Sequence, residues 1–176
     1  MRTAVLVTAA VLVTSGCGIT AETAAPGCSD PERLAVVAQS VPGAAYLPCL
    51  QALPQGWRVD GFDARNGSSR LSLLSDRSDG HPVDIRLSAA CDVGRASPAA
   101  ARAAGVRSYV RLRSVSPAYA GTLYDVFAGG CVQYRFSFPR GPHIPLLEEL
   151  SSSVGLVSRR DLRVELRTEL GVELDP

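Results

Sequence analysis

Residues 131–138, CVQYRFSF, alternate without a break: Val132, Tyr134, Phe136 and Phe138 fall on one side of an extended chain and Gln133, Arg135 and Ser137 on the other. A period of two, carried by aromatic and β-branched side chains, specifies a strand with one face in a core and one in water. Gly129-Gly130 just before it is a turn, and Gly121–Phe127 on the far side reads as its hairpin partner. Further out, strand-like runs at Trp57–Asp63, Arg70–Ser75, Val83–Ser88 and Gly105–Ser114 are separated by Asn66-Gly67, Asp79-Gly80, a Pro/Ala-rich segment and Ser116-Pro117. Short connectors favour antiparallel neighbours. The expected fold is therefore α+β: an antiparallel sheet of about five to six strands, with an N-terminal helix and C-terminal helices.

The helical flanks follow from caps and spacing. Ser29-Asp30-Pro31-Glu32 offers two capping side chains and a proline suited to a first turn. A capping box between Ser29 and Glu32 is expected, opening a helix over Pro31–Ser40 that buries Leu34, Val37 and Val41. The next stretch, VPGAAYLPCLQALPQGW, carries too many prolines for a regular element and reads as a connector packed by Leu47, Leu50, Leu53 and Trp57. Ser97–Ala104 reads as a short helix or a loop. Pro145–Val154 places Leu146, Leu147, Leu150 and Val154 at helical spacing. Between Leu162 and Leu174 two periods compete. Alternation argues strand, whereas the cap-like Ser158 and Asp161, good helix formers and Gly171 as a stop argue helix to about Glu169 and then an extended tail. The helix is the reading adopted.

Five cysteines stand at 17, 28, 49, 91 and 131. An odd number leaves one over from any disulfide framework. Arg2 followed by the uncharged, mostly apolar run Thr3–Thr14 has the form of an export signal, too short to span a bilayer. Thr14-Ser15-Gly16-Cys17 resembles the lipobox of bacterial lipoproteins, with Thr14 where that box usually carries Leu. The resemblance implies a diacylglyceryl group on Cys17 and a chain held at the membrane by that lipid. Cleavage after Ala25, with small residues at Thr23 and Ala25, is the alternative, and it leaves Pro26 next to the cut. The expected organisation is a signal over 1–16, a lipidated N-terminus and flexible tether over 17–27, and one globular domain over 28–176. With Cys17 set aside, three pairings of the remaining cysteines exist, and the local one, Cys28 with Cys49 and Cys91 with Cys131, is expected.

Every one of the 18 basic residues is Arg, and Ala, Gly and Pro are abundant, as in a high-GC coding genome. Together with the lipobox-like segment this resembles the exported lipoproteins of actinobacteria. The domain, through PGAAYLPCLQALPQGW at 42–57 and GGCVQYRFSF at 129–138, is similar to actinobacterial exported proteins without an assigned activity. That likeness implies the outer face of the cytoplasmic membrane and no mechanism. Removing residues 1–16 leaves 17 arginines against 17 acids. Such a balance argues against nucleic acid, whose binding leans on a basic excess.

Candidate chemistry is sparse. His81, in a turn, and His143, ahead of a helix, are the residues on which a hydrolase would depend, yet no Gly-x-Ser-x-Gly elbow accompanies either. Asp76, Asp79 and Asp84 crowd one hairpin but fail the spacing of a calcium loop. Four cysteines without Cys-x-x-Cys or Cys-His spacing do not suggest zinc. No cofactor is expected. One constellation points to binding: Arg107, Tyr109, Arg111 and Arg113 share a strand face, and Arg86 and Arg135 hold polar-face positions on other strands. If those strands neighbour one another, they form a surface suited to phosphate or carboxylate. The plainer reading pairs these arginines with Asp84 and Asp125. The expected function is a non-enzymatic binding or accessory module of the cell envelope, partnered by an envelope protein or an anionic envelope ligand.

Overall fold

The computed structural model describes residues 24–80, 82–139 and 143–174. Among the described residues, two antiparallel sheets and three helices form an α+β architecture. The larger sheet has seven strands in the order β2-β3-β4-β8-β7-β6-β5: β2 Trp57–Arg65, β3 Ser68–Ser75, β4 Val83–Ser88, β5 Ser97–Ala99, β6 Arg107–Ser114, β7 Tyr119–Phe127 and β8 Gly130–Phe138. The smaller pairs β1 Tyr46–Leu50 with β9 Val154–Ser158. Helices α1 Pro31–Ser40, α2 His143–Ser153 and α3 Arg159–Glu169 complete it. Among the described residues no helix is long and apolar enough to cross a membrane.

The alternation of 131–138 does decide the sheet. Val132, Tyr134, Phe136 and Phe138 are each at most 1 % exposed. The register carries that face across the sheet: Tyr134 opposes Leu123 and Ile85, Val132 opposes Asp125 and Leu87, and Leu123 in turn opposes Val110. Leu34 and Val37 of α1, Leu146 and Leu150 of α2, and Leu162 and Leu166 of α3 join the same buried cluster. In the turn before β8, Gly129 has φ +68°, and a Cβ there would lie 1.8 Å from the Gly43 carbonyl oxygen. Only glycine permits that approach.

Several expectations need correction. The sheet has seven strands, not five to six, because β5 forms within the segment read as a helix or loop. The proline-rich connector contains β1. Pro48 is tolerated there because the two-stranded ribbon asks each residue for hydrogen bonds mainly on one side. Its partner β9 follows α2 without a break, where no turn signal marks it. Helix α1 has the expected bounds, but its cap is Asp30, which accepts from Arg33 N at 3.1 Å, in place of the Ser29–Glu32 box.

At the contested C-terminus the helix holds. Ser158 caps α3 by accepting from Asp161 N at 3.2 Å. Leu162 and Leu166, one turn apart, are buried, while Val164, which a strand would have placed beside them, is 60 % exposed. The local disulfide pairing is also present. Cys28–Cys49 ties the segment before α1 to β1, and Cys91–Cys131 ties the chain after β4 to the start of β8, with Cα separations of 4.9 and 5.8 Å.

Candidate functional site

The register sorts the polar side chains onto the face of the large sheet away from the helices. Arg107, Tyr109 and Arg111 of β6 share it with Thr122 and Tyr124 of β7, Gln133 and Arg135 of β8, and Asp84 and Arg86 of β4, whereas Arg113, expected on the same face, falls in a bulge where Ser114 opposes Ala120. Arg111, Thr122, Arg135 and Asp84 form one row across four strands, and Tyr109, Tyr124, Gln133 and Arg86 the next. Two strand spacings separate Arg111 from Arg135, about 10 Å between backbones. Arg107 falls in the row of Cys131.

The acids of this face nearest the arginines are already engaged. Asp84 receives Arg70 Nε at 2.9 Å and Nη2 at 2.5 Å, and the Ser72 hydroxyl at 3.2 Å. Asp63 pairs with Arg65 at 2.9 Å. The plainer pairing is thus corrected: Asp84 is satisfied from β3, and Asp125 lies on the opposite face, opposing Ser108 and Val132. Among the described residues Arg86, Arg107, Arg113 and Arg135 form no ion pair. Among the described residues Arg135 donates only to Gln133, at 3.2 Å. Arg111 stacks over Tyr124, 5.5 Å from its ring centroid.

The Cys91–Cys131 bridge shapes this face. Strand β4 is third in the sheet and β5 is at its far edge, so the chain between them must cross β8, β7 and β6. The bridge fixes the start of that crossing on Cys131, and Gly94 comes to rest beside Arg111: a Cβ there would lie 3.2 Å from Nη1. Tyr124, on a nominally wet face, is consequently 2 % exposed.

The other candidates are placed as follows. Cys17 and His81 lie outside the described residues, and His143 opens α2 by its backbone. Asp76 lies 3.7 Å from Arg77, whereas Asp84 belongs to Arg70. Among the described residues no three His, Cys, Asp or Glu side chains gather as a metal site.

On the helical side of the sheet is a cleft absent from the sequence reading. It has a volume of about 640 Å³ and lies between β6–β7–β8 and α2, walled by Tyr119, Leu123, Ile144 and Leu147. That volume is within the range of small-molecule sites. Its floor is polar. Asp125, 2 % exposed, accepts from Ser108 Oγ at 2.6 Å and from Arg102 Nη1 at 3.1 Å. Arg102 Nη2 donates to the carbonyls of Ser151, at 2.8 Å, and Val154, and the guanidinium sits 5.1 Å from the Tyr134 ring centroid. Tyr134 is buried, and among the described residues its hydroxyl makes no hydrogen bond of good geometry, Asp125 and Arg102 being its polar neighbours. Burial pushes its phenol well above the ordinary range, with Arg102 opposing and Asp125 reinforcing the shift.

A second polar cluster supports α2 from outside the cleft. Glu149 accepts from Trp57 Nε1 at 2.7 Å and from Arg77 Nη1 at 3.0 Å, and also from Arg77 Nη2. Hydrogen bonding from Arg77 holds its carboxyl below the usual range, against the opposing effect of burial, with Trp57 assisting. A signal for Asp125 was present in the sequence: it sits on the same parity as Leu123 and Phe127. Arg102 had none, lying in a segment without periodicity.

Comparison with protein-family models, with curated proteins and with solved structures finds no match to this chain.

Proposed function

We propose that this chain is a lipid-anchored, extracytoplasmic binding module of the cell envelope that engages an anionic surface or polymer through its outer sheet face, without catalysis of its own. The observation carrying this reading is the register, which aligns Arg86, Arg107, Arg111 and Arg135 on one face with their neighbouring carboxylates already engaged. Arginine forks suit phosphate and carboxylate, and stacking on Tyr124 preorganises Arg111 for that task. The anchor rests on the Cys17 segment, and tethering would supply the effective concentration that a shallow surface needs.

The test is co-sedimentation of the full chain with vesicles of anionic or zwitterionic lipid and with a soluble anionic polysaccharide. Binding should require negative charge, weaken as salt is raised, and fall at least tenfold in an Arg107→Gln, Arg111→Gln, Arg113→Gln variant that melts like the parent. Equal binding by parent and variant removes this face from the function. Separately, Cys17→Ser should shift the protein from the membrane fraction or stall its maturation; unchanged partitioning refutes the anchor.

A further inference from the structure

The cleft under α2 is a second, chemically distinct site, and the balance of its donors, acceptors and charges specifies what it takes. Asp125 and Arg102 cancel each other, so the floor carries no net charge, and Glu148 at the rim disfavours an entering anion. Some of its donors are left without an acceptor. Arg102 has five N–H groups, of which Nη1 serves Asp125 and Nη2 serves two backbone carbonyls. Among the described residues its Nε has no acceptor, and the Tyr134 hydroxyl has none either. The Arg102 side chain is 24 % exposed, so the floor is reachable. Above it the walls are apolar, and Ile144 at the mouth leaves 67 % of its surface in water.

A buried donor without an acceptor is costly, and an apolar cleft of this size filled only by water leaves its driving force unused. We infer that the cleft between α2 and β6–β7–β8 binds an uncharged amphiphile: an apolar body against Tyr119, Leu123, Ile144 and Leu147, and an acceptor oxygen, hydroxyl or ester carbonyl, directed at Arg102 and Tyr134. The donors and apolar walls it uses are not the arginines of the outer face, although Tyr109 and Tyr124 of that face also line the cleft.

The experiment uses the full chain with Nile red as a neutral reporter, displaced by monolauroylglycerol or by laurate, which share one acyl chain and differ in charge. Saturable binding is expected, with the glycerol ester displacing the dye at least tenfold more effectively than laurate. Ile144→Glu, at an exposed position, and Leu147→Trp, which fills the cleft, should each weaken dye binding tenfold or more. Tyr134→Phe should weaken the glycerol ester about two- to tenfold while the domain melts no lower than the parent, a combination that a purely structural tyrosine would not give. Non-saturable dye uptake, insensitivity to Ile144→Glu, preference for laurate, or an unchanged ester affinity in Tyr134→Phe would each overturn the inference.

Discussion

Arg102 Nη1 lies 3.1 Å from Asp125 Oδ2, and through that contact the last turn of α2 is fastened to the middle of the large sheet. The aspartate is almost wholly buried, so its charge depends on this partner and on Ser108. Arg102→Ala should therefore destabilise the domain by about 2–3 kcal/mol, a little under the usual loss for a buried pair because the arginine is partly exposed. Asp125→Asn should cost less, since the charge it leaves unpaired, Arg102, is 24 % exposed and keeps its two backbone carbonyls, whereas Asp125 is 2 % exposed. Urea melts of both variants check the order; a loss below about 1 kcal/mol for Arg102→Ala contradicts it.

Glu149 sets an acid limit. Its folded pKa is below the ordinary value of 4.5 because Arg77 and Trp57 hydrogen-bond the carboxylate. The stabilisation is thus complete above pH 4.5 and is lost as pH falls through the lower folded value. Thermal melts between about pH 3 and pH 6 should show a steep acid limb in the parent and a shallower one in Glu149→Gln. Parallel limbs would show that other carboxylates govern acid unfolding.

The Cys91–Cys131 bridge restrains both the global fold and one crossing loop. Replacing both cysteines with serine should cost about 2–5 kcal/mol. Amide exchange over residues 89–96 should rise more than elsewhere, because that segment loses its fixed point on β8. Exchange that is unchanged there, even with lowered stability, would mean that Arg111 and Tyr124 hold the loop unaided.

Two glycines with positive φ make a matched comparison. At Gly67, φ +87°, an added Cβ meets nothing within 4 Å, so alanine should cost only backbone strain of about 1 kcal/mol. At Gly129 the same methyl meets the Gly43 carbonyl, and Gly129→Ala should cost about 2–4 kcal/mol. Similar melts for the two variants would show that the 43–44 segment yields freely.

What could be read from the sequence follows from how local each signal is. The alternation of Val132 to Phe138 and the caps near Asp30 and Ser158 involve neighbours in the chain, and they mark β8, α1 and α3 without reference to the rest. Strands β1 and β9 have no such signal. Tyr46–Leu50 contains a proline and Val154–Ser158 directly continues a helix, and each is extended because the other supplies its hydrogen bonds. The arginine face was legible as parity within strands, but its acid partners were not, because only strand order gives Asp84 to Arg70. The cleft is a property of how α2 sits over the sheet, and no run of residues encodes it alone.

The β1–β9 ribbon has a bearing on how the molecule comes into being. Residues 46–50 find their partner more than a hundred positions later, at 154–158, and immediately beyond it Arg159 donates to the carbonyls of Ala38, Val41 and Ala44 where α1 ends. A nascent chain that has emerged only as far as β8 therefore has an unpaired first strand and an unsatisfied first helix. Closure of this ribbon and of the end of α1 waits for the last part of the sequence, although every strand of the large sheet has by then been made.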